Sequence, residues 1–137
     1  MRLTHLADYA VVMMTAAARR EAASNGGARL SATELSDETG VPLPTAQKLM
    51  QQLSRHGLLV GQRGAGGGYA LAKRVAEISL ADIVEAVEGP ISLTMCADGV
   101  NHDCALDAHC RVKPHMGIVG NAVRGALGAV SLQELAR

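Results

Sequence analysis

The chain has 137 residues, no net formal charge and 48% apolar residues, a length that suits one domain, or one domain with an appended helix. No run of eighteen apolar residues occurs, which excludes a long hydrophobic membrane-spanning helix. Phe and Trp are absent and Tyr9 and Tyr69 are the only aromatics, so the core must be built from Leu, Val, Ala and Met, side chains that suit closely approaching helices.

The zero balance hides a polarity. Residues 41–75 carry Lys48, Arg55, Arg63, Lys73 and Arg74 and no acid, a charge of +5. Residues 76–110 carry Glu77, Asp82, Glu85, Glu88, Asp98, Asp103 and Asp107 without Lys or Arg, a charge of −7. Such a division points to an anionic partner for one face, most often nucleic acid, against the plainer reading of a solvated basic surface.

In chain order, Thr4 is placed to cap a helix over His5–Ala23, with Leu6, Tyr9, Ala10, Met13, Met14 and Ala17 as its apolar stripe and Asp8 off that stripe. Ser24-Asn25-Gly26-Gly27 ends it with residues that tolerate left-handed geometry. Ser31-Ala-Thr-Glu34 has capping-box spacing and opens a short helix to about Thr39. Gly40-Val41-Pro42 breaks the chain, and a further helix starts near Pro44, a residue tolerated in a first turn. Its stripe is Ala46, Leu49, Met50 and Leu53, with Gly57 as the stop. Thr45, Gln47, Lys48, Gln51, Gln52 and Arg55 fall outside the stripe. Two short helices, a Gly-containing turn and a polar second face describe a helix-turn-helix.

Leu58-Leu59-Val60 and Tyr69-Ala70-Leu71 are short apolar runs that pair as strands around Gly61-Gln62-Arg63-Gly64-Ala65-Gly66-Gly67-Gly68. This predicts a hairpin wing whose tip is nearly bare backbone with one arginine, suited to a phosphate backbone or a minor groove. The rival, a nucleotide phosphate loop, lacks the following Gly-Lys-Ser/Thr and does not open a helix. Ser79 caps a helix from Leu80 to Val87 with Asp82 in its first turn, and Gly89-Pro90 closes it. A last long helix is expected from about Pro114 to Val130. Gly117, Ala122, Gly125, Ala126 and Gly128 make it small-sided, and each Gly costs about 1 kcal/mol against Ala in a helix. Close approach of a partner helix would compensate and points to a dimer. A terminal turn follows over Leu132–Ala136.

The three cysteines, Cys96, Cys104 and Cys110, all fall in one polar stretch that reads as a loop. Three thiolates in one loop are a ready-made partial site for a soft metal or an iron–sulfur cluster. Ordinary free thiols are the plain alternative. A disulfide would leave one cysteine over. The start of the chain lacks the pattern of a signal peptide, so a cytoplasmic setting with reduced thiols is expected. Structural zinc favours Cys-x-x-Cys knuckles, whereas the intervals here are seven and five residues, which suit a larger cluster better. Cys104 beside His102 or His109 as an enzymatic pair has no supporting oxyanion or orienting pattern, and no enzyme activity is expected.

Three segments together carry a resemblance: Met1-Arg2-Leu3-Thr4 with Asp8-Tyr9-Ala10, the stretch Arg63-Gly64-Ala65-Gly66-Gly67-Gly68-Tyr69-Ala70-Leu71, and three cysteines ahead of a final helix. Over essentially its full length the chain resembles the bacterial IscR/NsrR/RirA family of winged-helix transcription regulators that carry an iron–sulfur cluster. Its wider first cysteine interval is most like that of the RirA-type and SUF-operon regulators.

The resemblance implies a mainly α fold, a winged helix-turn-helix with a small β-hairpin wing and a C-terminal dimerisation helix. The expected division is 1–89 for DNA binding, 90–113 for the cluster loop and 114–137 for the dimerisation helix and tail. It implies a homodimeric, cluster-sensing repressor of cluster-assembly, iron-responsive or stress genes, acting on a palindromic operator, with an iron–sulfur cluster favoured as 4Fe–4S over 2Fe–2S. A winged-helix protein with structural zinc is the alternative.

Cys96, Cys104 and Cys110 are the expected ligands, with Asp8, His102, His109 and His115 competing for the fourth place. NsrR-like members use an aspartate in the first helix, which Asp8 matches. The histidine that IscR-like members carry after the last cysteine is Lys113 here. Candidate DNA contacts are Arg2, Thr45, Gln47, Lys48, Gln51, Arg55, Arg63, Gly64 and Gly66. Gln47 is the base-reading candidate, set against a merely solvated helix face for Gln47 and Gln51.

Overall fold

A computed structural model describes residues 2–64, 66–94 and 104–137. The first helix, α1, spans His5–Ala23, and the Thr4 side chain accepts a hydrogen bond from the Ala7 N–H at 3.2 Å. It ends where expected, with Asn25 (φ 54°) and Gly26 (φ 94°) in left-handed backbone. Helix α2 (Ala32–Thr39) takes Ser31 as its cap, and Gly40 (φ 81°) stops it. Glu34 directs its carboxylate to Arg20 of α1 at 2.7 Å, and Glu38 meets the same guanidinium at 2.7 Å. Arg20 therefore clamps α2 to α1, and the two carboxylates hold it more firmly protonated than a free arginine, Glu38 most of all.

Helix α3 (Leu43–Arg55) buries Ala46, Leu49, Met50 and Leu53, the stripe that the 3.6-residue period picks out. Strands β1 (Leu59–Gln62) and β2 (Gly68–Leu71) pair antiparallel, Leu59 opposite Leu71 and Gln62 opposite Gly68. The strands sit further toward the tip than the apolar runs suggest. Leu58 stays outside β1, buried, and its carbonyl accepts from the Ala72 N–H at 3.0 Å. Backbone pairing extends through Gly61, Gln62 and Gly68 because a ladder uses main-chain groups and needs no apolar side chain there.

A 3-10 turn (Val75–Glu77) leads into α4 (Leu80–Glu88), where Ser79 and Asp82 form a complete capping box. The expected final helix is shorter than predicted. Lys113–His115 form a 3-10 turn around Pro114, and α5 proper spans Met116–Gly128. A last short helix, α6 (Leu132–Leu135), has its own capping box from Ser131 and Glu134.

The core joins α1, α2, α3 and α4 through Met13, Met14, Leu35, Leu49, Met50, Leu53 and Ile83, each at most 1% exposed. Two long-range backbone links complete it. Leu30 and Tyr69 exchange hydrogen bonds at 2.7 and 2.8 Å, which adds a third extended segment beside the hairpin. Ser79 bridges Ser131, with Leu132 N–H donating to the Ile78 carbonyl at 2.7 Å and Leu80 N–H to that of Val130 at 2.8 Å. Leu132, 0% exposed, is thereby a core residue of the N-terminal unit supplied from the C-terminal tail.

Candidate functional site

With its apolar stripe buried, α3 turns Gln47, Lys48, Gln51 and Arg55 outward, all exposed, while Thr45 is half-buried. Gln47, Gln51 and Arg55 succeed each other at steps of four and so form one row, with Lys48 beside it. Pro42 and Pro44 at the start of α3 narrow the backbone choice where the helix leaves the turn.

The wing rises from the C-terminal side of α3. Arg63, Gly64 and Gly66 are exposed at its tip, and the Gly67 N–H bonds back to the Gly64 carbonyl at 3.0 Å. Gly64, Gly66 and Gly68 hold φ values of 108°, 83° and 114°, where a side chain is strained. At Gly68 a side chain is also excluded by space, since a Cβ would fall 2.5 Å from the Leu30 carbonyl oxygen. Arg2 is exposed ahead of α1 and borders a groove with Glu88, Ile91 and Leu93.

The acids that follow the wing are largely engaged within the fold. Glu77 pairs with Arg74 at 2.8 Å, Asp82 completes the α4 cap, Glu85 pairs with Arg124 of α5 at 2.7 Å, and Glu88 accepts from the Thr4 hydroxyl. Arg74 holds the Glu77 carboxyl below the usual range, chiefly by hydrogen bonding. α3 itself has no acid, so the basic and amide row stands uncompensated on its own helix.

Of the expected metal ligands, Cys104 is exposed and Cys110 half-buried, on either side of a 3-10 turn, Asp107–His109. His109 and His115 are exposed, and Asp8 is exposed in the first turn of α1. Cys96 and His102 lie outside the described residues. Among the described residues no three or more His, Cys, Asp or Glu gather into a metal-holding group, so Asp8, Cys104 and Cys110 do not converge within one chain. The donor set, soft thiols in a polar segment with Cys104 exposed and Cys110 half-buried, fits an iron–sulfur cluster in its chemistry.

Helix α5 packs on α4; within it Gly120 is buried, with the Ile91 carbonyl oxygen 3.9 Å from where a Cβ would stand, and Met116, Val123 and Leu127 are half-buried. The helix also carries Ile118 and Val119, 69% and 42% exposed, and a Cβ on Gly117 or Gly125 would meet nothing within 4 Å among the described residues. Among the described residues, then, no neighbour explains why those two positions are small.

A helix-turn-helix with a polar outer row, flanked by a glycine hairpin tipped with arginine, defines a winged-helix DNA-binding transcription regulator. The chain matches the Rrf2 family, described as iron-dependent transcriptional regulators, over residues 3–137, and it belongs to that family. It is 33% identical over 98% of its length to a Neisseria meningitidis protein assigned as an HTH-type transcriptional regulator, covering 87% of that protein. It is 30% identical, again over 98%, to the HTH-type transcriptional regulator IscR of Photorhabdus laumondii, covering 79% of it. These relatives are regulators and not enzymes.

Among solved structures, CymR, the global cysteine regulator of B. subtilis, superposes with a TM-score of 0.72 at 24% identity, over 99% of this chain and 96% of that one. IscR of T. potens gives 0.69 at 21%, over 98% and 85%. At these identities the likeness establishes the fold.

The sequence alone did not point to Arg29 or to the Leu30–Tyr69 bridge. The alternation in Ala28-Arg29-Leu30 is too short to register as a strand.

Proposed function

We propose that the protein is a homodimeric repressor that senses an iron–sulfur cluster, 4Fe–4S in preference to 2Fe–2S, and binds a palindromic operator. The observation that carries this reading is the joining, in one chain of an iron-dependent family, of the winged helix to an accessible thiol segment that runs straight into α5. Cys96, Cys104 and Cys110 hold the cluster. Asp8 of the partner subunit completes it, at the first-helix place where the resemblance puts an aspartate ligand. A bound cluster supplies soft iron–thiolate bonds whose loss is chemically tied to iron supply or oxidation.

The chain's own residues carry the consequence. α5 follows the thiol segment, Arg124 of α5 pairs with Glu85 of α4, and α4 packs on α3. A change at the thiols thus has a packed route to the recognition row, in which Gln47 reads a base edge and Lys48, Gln51, Arg55 and Arg2 contact nearby DNA. The exposed apolar side chains in the first turn of α5, Ile118 and Val119, support the dimer. Two copies then present two α3 helices and two wings to half-sites spaced by the DNA repeat.

Anaerobic purification with iron and sulfide counts, a visible spectrum, sedimentation and operator retardation test this. Brown dimeric protein whose DNA affinity changes on cluster removal is expected. Colourless protein containing zinc would refute the cluster, and a monomer that binds half-sites independently would refute the dimer.

A further inference from the structure

Arg29 lies outside the recognition helix and the hairpin, yet the fold carries it to the wing tip. The segment before it is tied to α1 by Glu21, whose two carboxylate oxygens accept from the Gly27 N–H at 2.8 Å and the Ala28 N–H at 2.9 Å. The segment after it is tied to the wing by the paired Leu30–Tyr69 hydrogen bonds. Ala28 is 8% exposed and Leu30 0%. An extended chain alternates its side chains, so Arg29 between them turns outward, and it is exposed.

Its guanidinium reaches the tip itself. A Cβ on Gly66 would fall 3.2 Å from Arg29 Nη1, and one on Gly68 would fall 3.5 Å from Arg29 Cγ. Arg63 is exposed on the same tip. Glu21 of α1 uses its two oxygens to hold the backbone on the N-terminal side of Arg29. A guanidinium has five N–H donors in a planar fork, which lets one side chain brace a loop and grip a phosphate together.

We infer that Arg29 is a DNA phosphate contact, a second wing cation delivered by the α1–α2 connection rather than by the hairpin. This rests on the reading that the wing lies against DNA. It makes the wing a three-segment platform, Ala28–Leu30 with β1 and β2, whose two arginines flank the glycine turn.

The test is the salt dependence of binding to a mixed-sequence duplex by the full chain, comparing wild type, Arg29→Gln, Arg29→Lys and Arg63→Ala. One lost phosphate contact lowers the slope of log K against log salt by about 0.9. The deficit of Arg29→Gln should therefore be about 3.5-fold larger at about 50 mM than at about 200 mM salt, for each copy bound. Arg29→Lys should restore the wild-type slope, because a lysine ammonium still neutralises a phosphate. Circular dichroism melts would establish that each variant folds.

Unchanged affinity for Arg29→Gln overturns the inference while leaving the wing reading intact if Arg63→Ala weakens binding. Weaker binding with an unchanged slope overturns it too, and leaves Arg29 only a brace for the turn. If Arg63→Ala is also without effect, the wing reading falls and the inference with it.

Discussion

Gly64 and Gly68 form a matched pair for separating backbone strain from steric exclusion in the wing. Their φ values, 108° and 114°, are nearly equal, so replacing either by Ala carries a similar conformational cost, about 1–3 kcal/mol. They differ in space. A Cβ at Gly64 meets nothing within 4 Å among the described residues, whereas one at Gly68 falls 2.5 Å from the Leu30 carbonyl oxygen and 3.4 Å from its carbon. A carbon–oxygen contact needs about 3.3 Å, so the strand and the Leu30 segment must separate by roughly 0.8 Å. The Leu30–Tyr69 hydrogen bonds, 2.7 and 2.8 Å long, then stretch to about 3.5 Å, beyond useful geometry.

Each such bond is worth about 0.5–1.5 kcal/mol net. Gly68→Ala should therefore be less stable than Gly64→Ala by about 1–3 kcal/mol. Urea unfolding followed by helical circular dichroism at one fixed protein concentration measures the difference. If the two variants agree within about 0.5 kcal/mol, the wing base is not held by the Leu30 segment, and the delivery of Arg29 to the tip loses its support.

Replacing Lys48 and Arg63 together with Ala should weaken operator binding and flatten its salt slope by about two phosphate contacts per copy; unchanged retardation would refute the docking of α3 and the wing. Asp8→Ala should leave dimerisation and DNA contacts intact but make the visible cluster spectrum decay faster, and a spectrum as durable as wild type would remove Asp8 from the ligand set. Leu132→Ala should cost about 2–5 kcal/mol as a fully buried truncation, read as a lower unfolding midpoint; a near-neutral result would mean that α6 is not part of the core. The Ser131 backbone N–H, followed by its hydroxyl, holds the Glu134 carboxyl below its ordinary value of 4.5. Its stabilisation is thus complete above that value and is lost as pH falls through the lowered one. Wild type and Glu134→Gln should differ in urea midpoint at neutral pH and converge in acid, and a pH-independent gap would contradict the role of the carboxylate charge.

By itself the sequence determined the local elements, because the groups that decide them are neighbours in the chain. Thr4, Ser31 and Ser79 satisfy N–H groups within three residues, Gly40 and Gly57 supply left-handed turns, and the 3.6-residue stripe of α3 sets which side is buried. The outward row of Gln47, Lys48, Gln51 and Arg55 follows from that stripe, and the glycine run with one arginine already describes a wing.

Tertiary structure decided what depends on partners distant in sequence. Leu30 pairs with Tyr69, Ser131 with Ser79, Arg124 with Glu85, and Leu132 enters a core built by the first half of the chain. The length of the strands belongs here too. Gln62 and Gly68 enter the ladder through main-chain groups that hydropathy cannot register. So does the position of Arg29, an unremarkable cation in a loop until Glu21 on one side and Tyr69 on the other fix its backbone. Each of these contacts has to offset the entropy of closing a long loop, and that balance is struck only when the whole core has assembled.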